Sequence, residues 1–172
     1  MDSLGIKGSL IRKLRRLKFV PRWCVVPTIN KQNVAEHSFH VAWLCVWVSA
    51  RVGLPVSAYS LIVALTHDAE EAVTGDMPTP SKPASASEAT LDRCVLKVAD
   101  CLEAALFLSE ELSMGNSSVS DVLDDVVDRG SVWADKLAEM CNNDEISFVS
   151  LFHELMHLTN PSIHPGMMST KS

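Results

Sequence analysis

The stretch "LIVALTHDAEEAVTGDMPTP", Leu61 to Pro80, decides how the chain is read. An apolar run with helical spacing ends in adjacent His67 and Asp68, followed by Glu70 and Glu71. Gly75 and the prolines at 78 and 80 then force a loop. The periodicity predicts a helix over roughly 56–73, on which His67, Asp68 and Glu71 share one edge while Glu70 points elsewhere.

Working outward, helical periodicity dominates and alternating strand patterns are almost absent. The expectation is a compact all-α single domain of about six helices over residues 1–160, with 161–172 as a flexible tail. The helices fall at about 4–19, 34–52, 56–73, 88–114, 119–141 and 145–158. Pro21 and Pro27 keep the segment after the first helix irregular. Asn33 with Glu36 reads as a capping box opening the second helix, and Gly115 with Asn116 closes the fourth.

The 172 residues suffice for one cored domain, and 47% apolar with 21% charged residues is ordinary for a folded protein. Residues 1–22 carry seven Lys or Arg against Asp2, so the net charge of −6 leaves about −12 on the remainder. Stable nucleic-acid binding is therefore not expected. Leu10, Ile11, Leu14, Leu17 and Val20 give the basic segment the stripe of an amphipathic surface helix. No apolar run reaches the roughly 18 residues of a membrane span, and no secretory signal pattern is present. Five cysteines without a Cys-x-x-Cys pair suggest neither a disulfide framework nor a cysteine metal site, which fits a reducing cytoplasm.

The second helix contributes "NVAEHSFHVA", where His37 lies on the apolar stripe of Val34, Val41 and Leu44 and so faces inward. Two imidazoles and a carboxylate from adjacent helices suit a divalent transition ion, but leave the set one ligand short. In "LKVADCLEAALFL", Asp100 interrupts an apolar run, and a buried carboxylate must be paired or bound to a metal. Asp100 is thus the candidate fourth ligand. Its competing reading is an ion pair, or a solvated stripe shared with Glu103. With His37, His67, Asp68 and Asp100 as ligands, the ion would acidify water, and Glu71 would serve as general acid or base.

These residues resemble those of the HD-domain phosphohydrolase superfamily, and more closely of bacterial 5′-deoxynucleotidases and their shorter phage relatives that act on dATP. The likeness is carried by Arg22-Trp23, "NVAEHSFHVA", "HDAEEAVTGDMPTPSK" and "KVADCLEAALFLSEELSMGN", over about residues 10–116. It implies an HD-type helical bundle and a divalent ion, zinc, cobalt or manganese, on His37, His67, Asp68 and Asp100. Glu71 would be catalytic and Asp76 would lie near the reacting phosphate. Arg22 and Lys82 would contact phosphate oxygens, Trp23 would exclude a 2′-hydroxyl, and Val25 and Pro80 would flank the base. The implied substrate is a small deoxynucleotide, cleaved at the α-phosphorus. Release of triphosphate from a dNTP is preferred over dephosphorylation of a dNMP, because the short Asp68–Asp100 interval trims one wall of the site; a nucleotide-binding module without turnover is the third reading. The resemblance also implies a homo-oligomer in the cytoplasm, the host's if phage-encoded.

Near the end, "FHELMHL" places His153, Glu154 and His157 in the His-Glu-x-x-His pattern of zinc proteases. His164 follows without the glycine of the extended motif, so Leu151, Phe152, Leu155 and Leu158 read instead as the packing stripe of a terminal helix or oligomer contact.

Overall fold

Asn33 starts the helix that carries the first site histidine. Its side chain accepts from the Glu36 N–H, while the Glu36 carboxylate accepts from the Asn33 N–H, completing the expected capping box. In the computed structural model, which describes residues 8–76 and 89–159, seven α-helical segments follow in order. They are α1 (Gly8–Arg16), α2 (Val34–Arg51), α3 (Ala58–Thr66), α4 (Glu71–Thr74), α5 (Leu91–Ser113), α6 (Ser120–Cys141) and α7 (Phe148–Thr159). No strand occurs among the described residues; an isolated bridge joins Pro21 and Asn33.

Helix α5 is the spine. It packs on α2, α6 and α7, and its buried Val95, Val98, Ala99, Leu102, Ala105 and Leu108 recur at the spacing of a broad apolar face. Between α6 and α7 the Phe148 ring packs against Gly130, where a Cβ would overlap it. Helix α6 ends on Asn142 at φ 49°, a left-handed position that asparagine tolerates.

Two expected elements differ. The helix expected over 56–73 stops at Thr66, whose hydroxyl donates back to the Ile62 carbonyl. Tight turns carry the chain through 67–70, with Ala69 N–H on the Thr66 carbonyl and Glu71 N–H on that of Asp68, before α4 forms. His67, Asp68 and Glu71 therefore do not share one helix edge. The first helix tightens into a 3₁₀ turn at Leu17–Phe19, and only Leu17 of its stripe is fully buried; Ile11 is exposed. Lys13 on α1 bridges Glu70 at 2.7 Å, which takes Glu70 to the surface as expected.

The loop from Pro21 to Gln32 is held at both ends and along its length. Arg22 N–H donates to the Gln32 carbonyl and Val34 N–H to that of Val20. Glu111, buried on α5, accepts from the backbone N–H groups of Ile29 at 2.6 Å and Asn30 at 2.7 Å and from the Asn116 amide at 2.8 Å. Burial pushes the Glu111 carboxyl up, but these donors outweigh it and hold the group below its ordinary range. Glu111→Ala strands the two N–H groups and should cost about 2–4 kcal/mol. In a scanning calorimeter that is a fall in Tm of about 5–15 °C for a chain of this size. Because the folded carboxyl is depressed, its contribution is complete above the ordinary glutamate range and disappears as pH falls through the folded value, so the penalty should shrink on acidification.

Candidate metal centre and substrate loop

Three elements bring the ligand candidates together. Helix α2 supplies His37, the turn after α3 supplies His67 and Asp68, and α5 supplies Asp100. His37 Nε2 lies 3.2 Å from Asp100 Oδ1 and 3.6 Å from Asp68 Oδ2; His67 Nε2 lies 3.2 Å from Asp68 Oδ2 and 4.0 Å from Asp100 Oδ1. Donor atoms of His37, His67 and Asp100 all fall within 4.8 Å of one another. Ligands on a common ion with bonds of about 2.1 Å sit about 3.4 Å apart in a tetrahedral arrangement, so the spacing fits one small divalent cation.

The hydrogen bonds fix which atoms face that point. His67 Nδ1 meets the Ala64 carbonyl at 2.7 Å and His37 Nδ1 meets Glu103 Oε2 at 2.6 Å. Both partners only accept, so both Nδ1 atoms carry hydrogen, and in the neutral ring each Nε2 presents a lone pair. Both Nε2 atoms are buried and make no hydrogen bond. Asp100 turns Oδ1 inward while Lys97 holds its Oδ2 at 3.1 Å.

Electrostatics favour positive charge here. Burial and the Arg22 charge push His37 down, yet the neighbouring Asp100 and Glu103 carboxylates prevail and raise it. Burial pushes Asp100 up, but His37 and the Lys97 ammonium hold it well below the usual carboxylate range. A divalent ion supplies the charge that these carboxylates otherwise draw from protons.

The loop beside the centre is strained and firmly held. Trp23 sits at φ 62°, a conformation costing about 1–3 kcal/mol for a side chain of this size. Its N–H donates to Asp76 Oδ2 at 3.0 Å, its indole N–H to Gln32 Oε1 at 3.1 Å, and its ring stacks on Phe107 with centroids 5.4 Å apart. Arg22 lies over the same ring. Its Nε and Nη1 are buried without a hydrogen bond among the described residues, and Glu103 Oε2 lies 3.9 Å from Nη1. Buried guanidinium donors in that condition match an anionic ligand.

The remaining expected residues are placed as follows. Glu71 is buried, 4% exposed, one tight turn beyond Asp68. Asp76 is occupied by the Trp23 amide. Val25 is 74% exposed. Pro80 and Lys82 lie outside the described residues, as do His164 and the expected tail. On α7, Leu151, Phe152 and Leu155 are buried, whereas Leu158 leaves the expected stripe and is exposed. His153 and His157 face outward, and Glu154 pairs with Arg51 at 2.8 Å.

Sequence reasoning missed Glu103 and Gln32. Glu103 is 4% exposed rather than part of a solvated stripe, accepting from His37 and from Gln32 Nε2 at 2.5 Å. Burial pushes its carboxyl up, but hydrogen bonds from His37 and His40 and the Arg22 charge bring it down to about 2. The available signal was its position three residues after Asp100, on the same helical face.

A family model described as 5′-deoxynucleotidase YfbR-like matches residues 9–91. A dATP triphosphohydrolase of Salmonella phage PMBT28 is 35% identical over 127 residues, 58% of this chain and 66% of the relative. A Shigella flexneri 5′-deoxynucleotidase, YfbR, is 36% identical over 91 residues, 50% of this chain and 46% of the relative. The chain thus spans less than two thirds of the length of these curated relatives. Among solved structures, the cyanophage S-2L HD phosphohydrolase DatZ, bound to dA and one catalytic Zn²⁺ ion, superposes with a TM-score of 0.70 at 25% identity, covering 89% of this chain and 98% of that one. No helix among the described residues is long and apolar enough to cross a membrane. In fold and over the matched sequence, this chain is similar to HD-domain phosphohydrolases.

Proposed function

We propose that the protein hydrolyses deoxynucleotides at the α-phosphorus, acting on dNTPs of the dATP type to give deoxynucleoside and triphosphate. The observation that carries this reading is the pairing of two bare, buried imidazole nitrogens and two carboxylates with the unsatisfied Arg22 guanidinium on the adjoining loop. One group is built for a cation and the other for an anion, as a phosphoester substrate requires.

His37, His67, Asp68 and Asp100 would hold the divalent ion, which when bound supplies Lewis acidity and brings the pKa of water towards neutrality. The chain's own residues do the rest. Arg22, with Lys82, holds phosphate oxygens. Glu71 takes up and returns a proton near the ligand turn, its backbone tied to that of Asp68. Trp23, locked by Gln32, Asp76 and Phe107, offers a rigid wall against a 2′-hydroxyl. Asp76 acts at the phosphate end by fixing that wall, and Val25 and Pro80 flank the base.

Similarity to the phage dATP triphosphohydrolase over the longer stretch supports the triphosphate reading, and the dA bound to DatZ supports a deoxynucleoside product under either reading. The YfbR-like match supports a second, dephosphorylation of dNMPs. Incubation with the four dNTPs, their NTPs and dNMPs, with and without Mn²⁺, Co²⁺ or Zn²⁺, separates them by product. Triphosphate from dATP, with NTPs turned over at least about 100-fold more slowly because a steric clash forbids them, is expected. Inorganic phosphate from dNMPs would select the second reading, and metal-independent or absent turnover on every substrate would overturn both.

A further inference from the structure

Glu103 touches both halves of the site. One oxygen accepts from His37 Nδ1 at 2.6 Å; the other accepts from Gln32 Nε2 at 2.5 Å. The Gln32 amide can be oriented in only one way. Its Oε1 receives the Trp23 indole N–H, which can only donate, and its Nε2 faces a carboxylate, which can only accept. Gln32 and Glu103 are both buried, so neither bond is readily exchanged for water. The result is an unbroken chain of hydrogen bonds from the Trp23 indole through Gln32 and Glu103 to the back of the His37 ring.

We propose that Glu103 and Gln32 are positioning residues that register the Arg22–Trp23 substrate loop against His37, so that one buried carboxylate serves both ion affinity and nucleotide affinity. This rests on the reading of His37 as a metal ligand. Glu103 fixes the His37 tautomer and ring angle and strengthens the ring as a donor, as carboxylates behind metal-bound histidines do. Through Gln32 the same carboxylate holds the Trp23 indole, and its Oε2 lies 3.9 Å from Arg22 Nη1. Helix α5 therefore supplies a ligand, Asp100, and one turn later the brace for a second ligand and for the substrate loop.

The test measures Zn²⁺ affinity directly, by competition with a chromophoric chelator, in the unsubstituted 172-residue chain and in Glu103→Gln and Gln32→Leu, beside KM and kcat for dATP. Glu103→Gln is expected to weaken Zn²⁺ binding about 10–100-fold. Gln32→Leu leaves the His37 bond intact; it should change Zn²⁺ affinity by less than about 3-fold, while KM for dATP rises about 10-fold from a loosened Trp23 wall and kcat changes little. Circular dichroism and Tm report whether each variant folds, and Glu103→Asp, which keeps the charge on a shorter stem, replaces Glu103→Gln if the latter does not. Zn²⁺ affinity within 2-fold of the parent in a folded Glu103 variant overturns the proposal, as does a Gln32→Leu protein with unchanged KM. A parent protein that binds no Zn²⁺ would instead overturn the metal reading itself, so the two failures are distinguishable.

Discussion

Asp100→Ala, stripped by dialysis against chelator and titrated with Zn²⁺, should bind the ion about 10²–10³-fold more weakly than the parent and lose measurable turnover. The magnitude follows from dividing the roughly 10–16 kcal/mol of a four-ligand zinc site among its ligands, about 3–4 kcal/mol each, or two to three decades in affinity. Asp100 would be one of two carboxylates offsetting the charge of a bound ion, and its Oδ1 lies 3.2 Å from His37 Nε2 and 4.0 Å from His67 Nε2. The fold should survive. Asp100 sits on α5 beside the buried Val98, Ala99 and Leu102, and its cationic partner outside the histidines among the described residues is Lys97, which is partly exposed and can return to water. Circular dichroism is expected to be unchanged, and ion affinity equal to that of the parent would show that the cation is held elsewhere.

How this centre could be read from the sequence depends on the range of each interaction. His37 was legible because Val34, Val41 and Leu44 mark the inward face of α2, and the structure buries it with them. Asp100 was legible as a charge in an apolar run, and the capping box at Asn33 as a pattern within four residues. The break after Thr66 was not. The run from Ala58 onward is periodic through it, and the side-chain bond from Thr66 to Ile62 gives little warning that the next four residues turn. That turn moves His67 and Asp68 off a common helix edge and lets both approach His37 and Asp100.

Glu103 and Gln32 were hidden for another reason. Their bond joins residues 71 apart, and Glu103 reaches His37 across 66. Nothing local distinguishes a glutamate that braces a histidine from one that faces solvent; burial does, and burial depends on how α2 and α5 cross. The strain at Trp23 was equally invisible, because its left-handed backbone is imposed by Asp76, Gln32 and Phe107 from three other parts of the chain. A family likeness pointed to Trp23, while its physical support became apparent only once those partners were in place.

Glu71→Gln should separate chemistry from coordination. The substitution keeps shape and hydrogen-bonding capacity but removes the capacity to accept and return a proton, and general acid–base contributions of this kind are worth about 10²–10⁴ in rate. Turnover of dATP is expected to fall by that factor, while Zn²⁺ affinity stays within about 3-fold of the parent, since a residue outside the ligand set contributes only indirectly to binding. The structure supplies the reason to expect such a split. Glu71 is buried and lies one tight turn past Asp68, with its N–H on the Asp68 carbonyl, so its backbone is registered to the ligand turn. If Glu71→Gln instead lost Zn²⁺ in step with activity, with circular dichroism unchanged, Glu71 would belong to the coordination shell. The proton would then have to be handled by another acid, with Asp76, whose Oδ2 accepts from the Trp23 amide, the first to test.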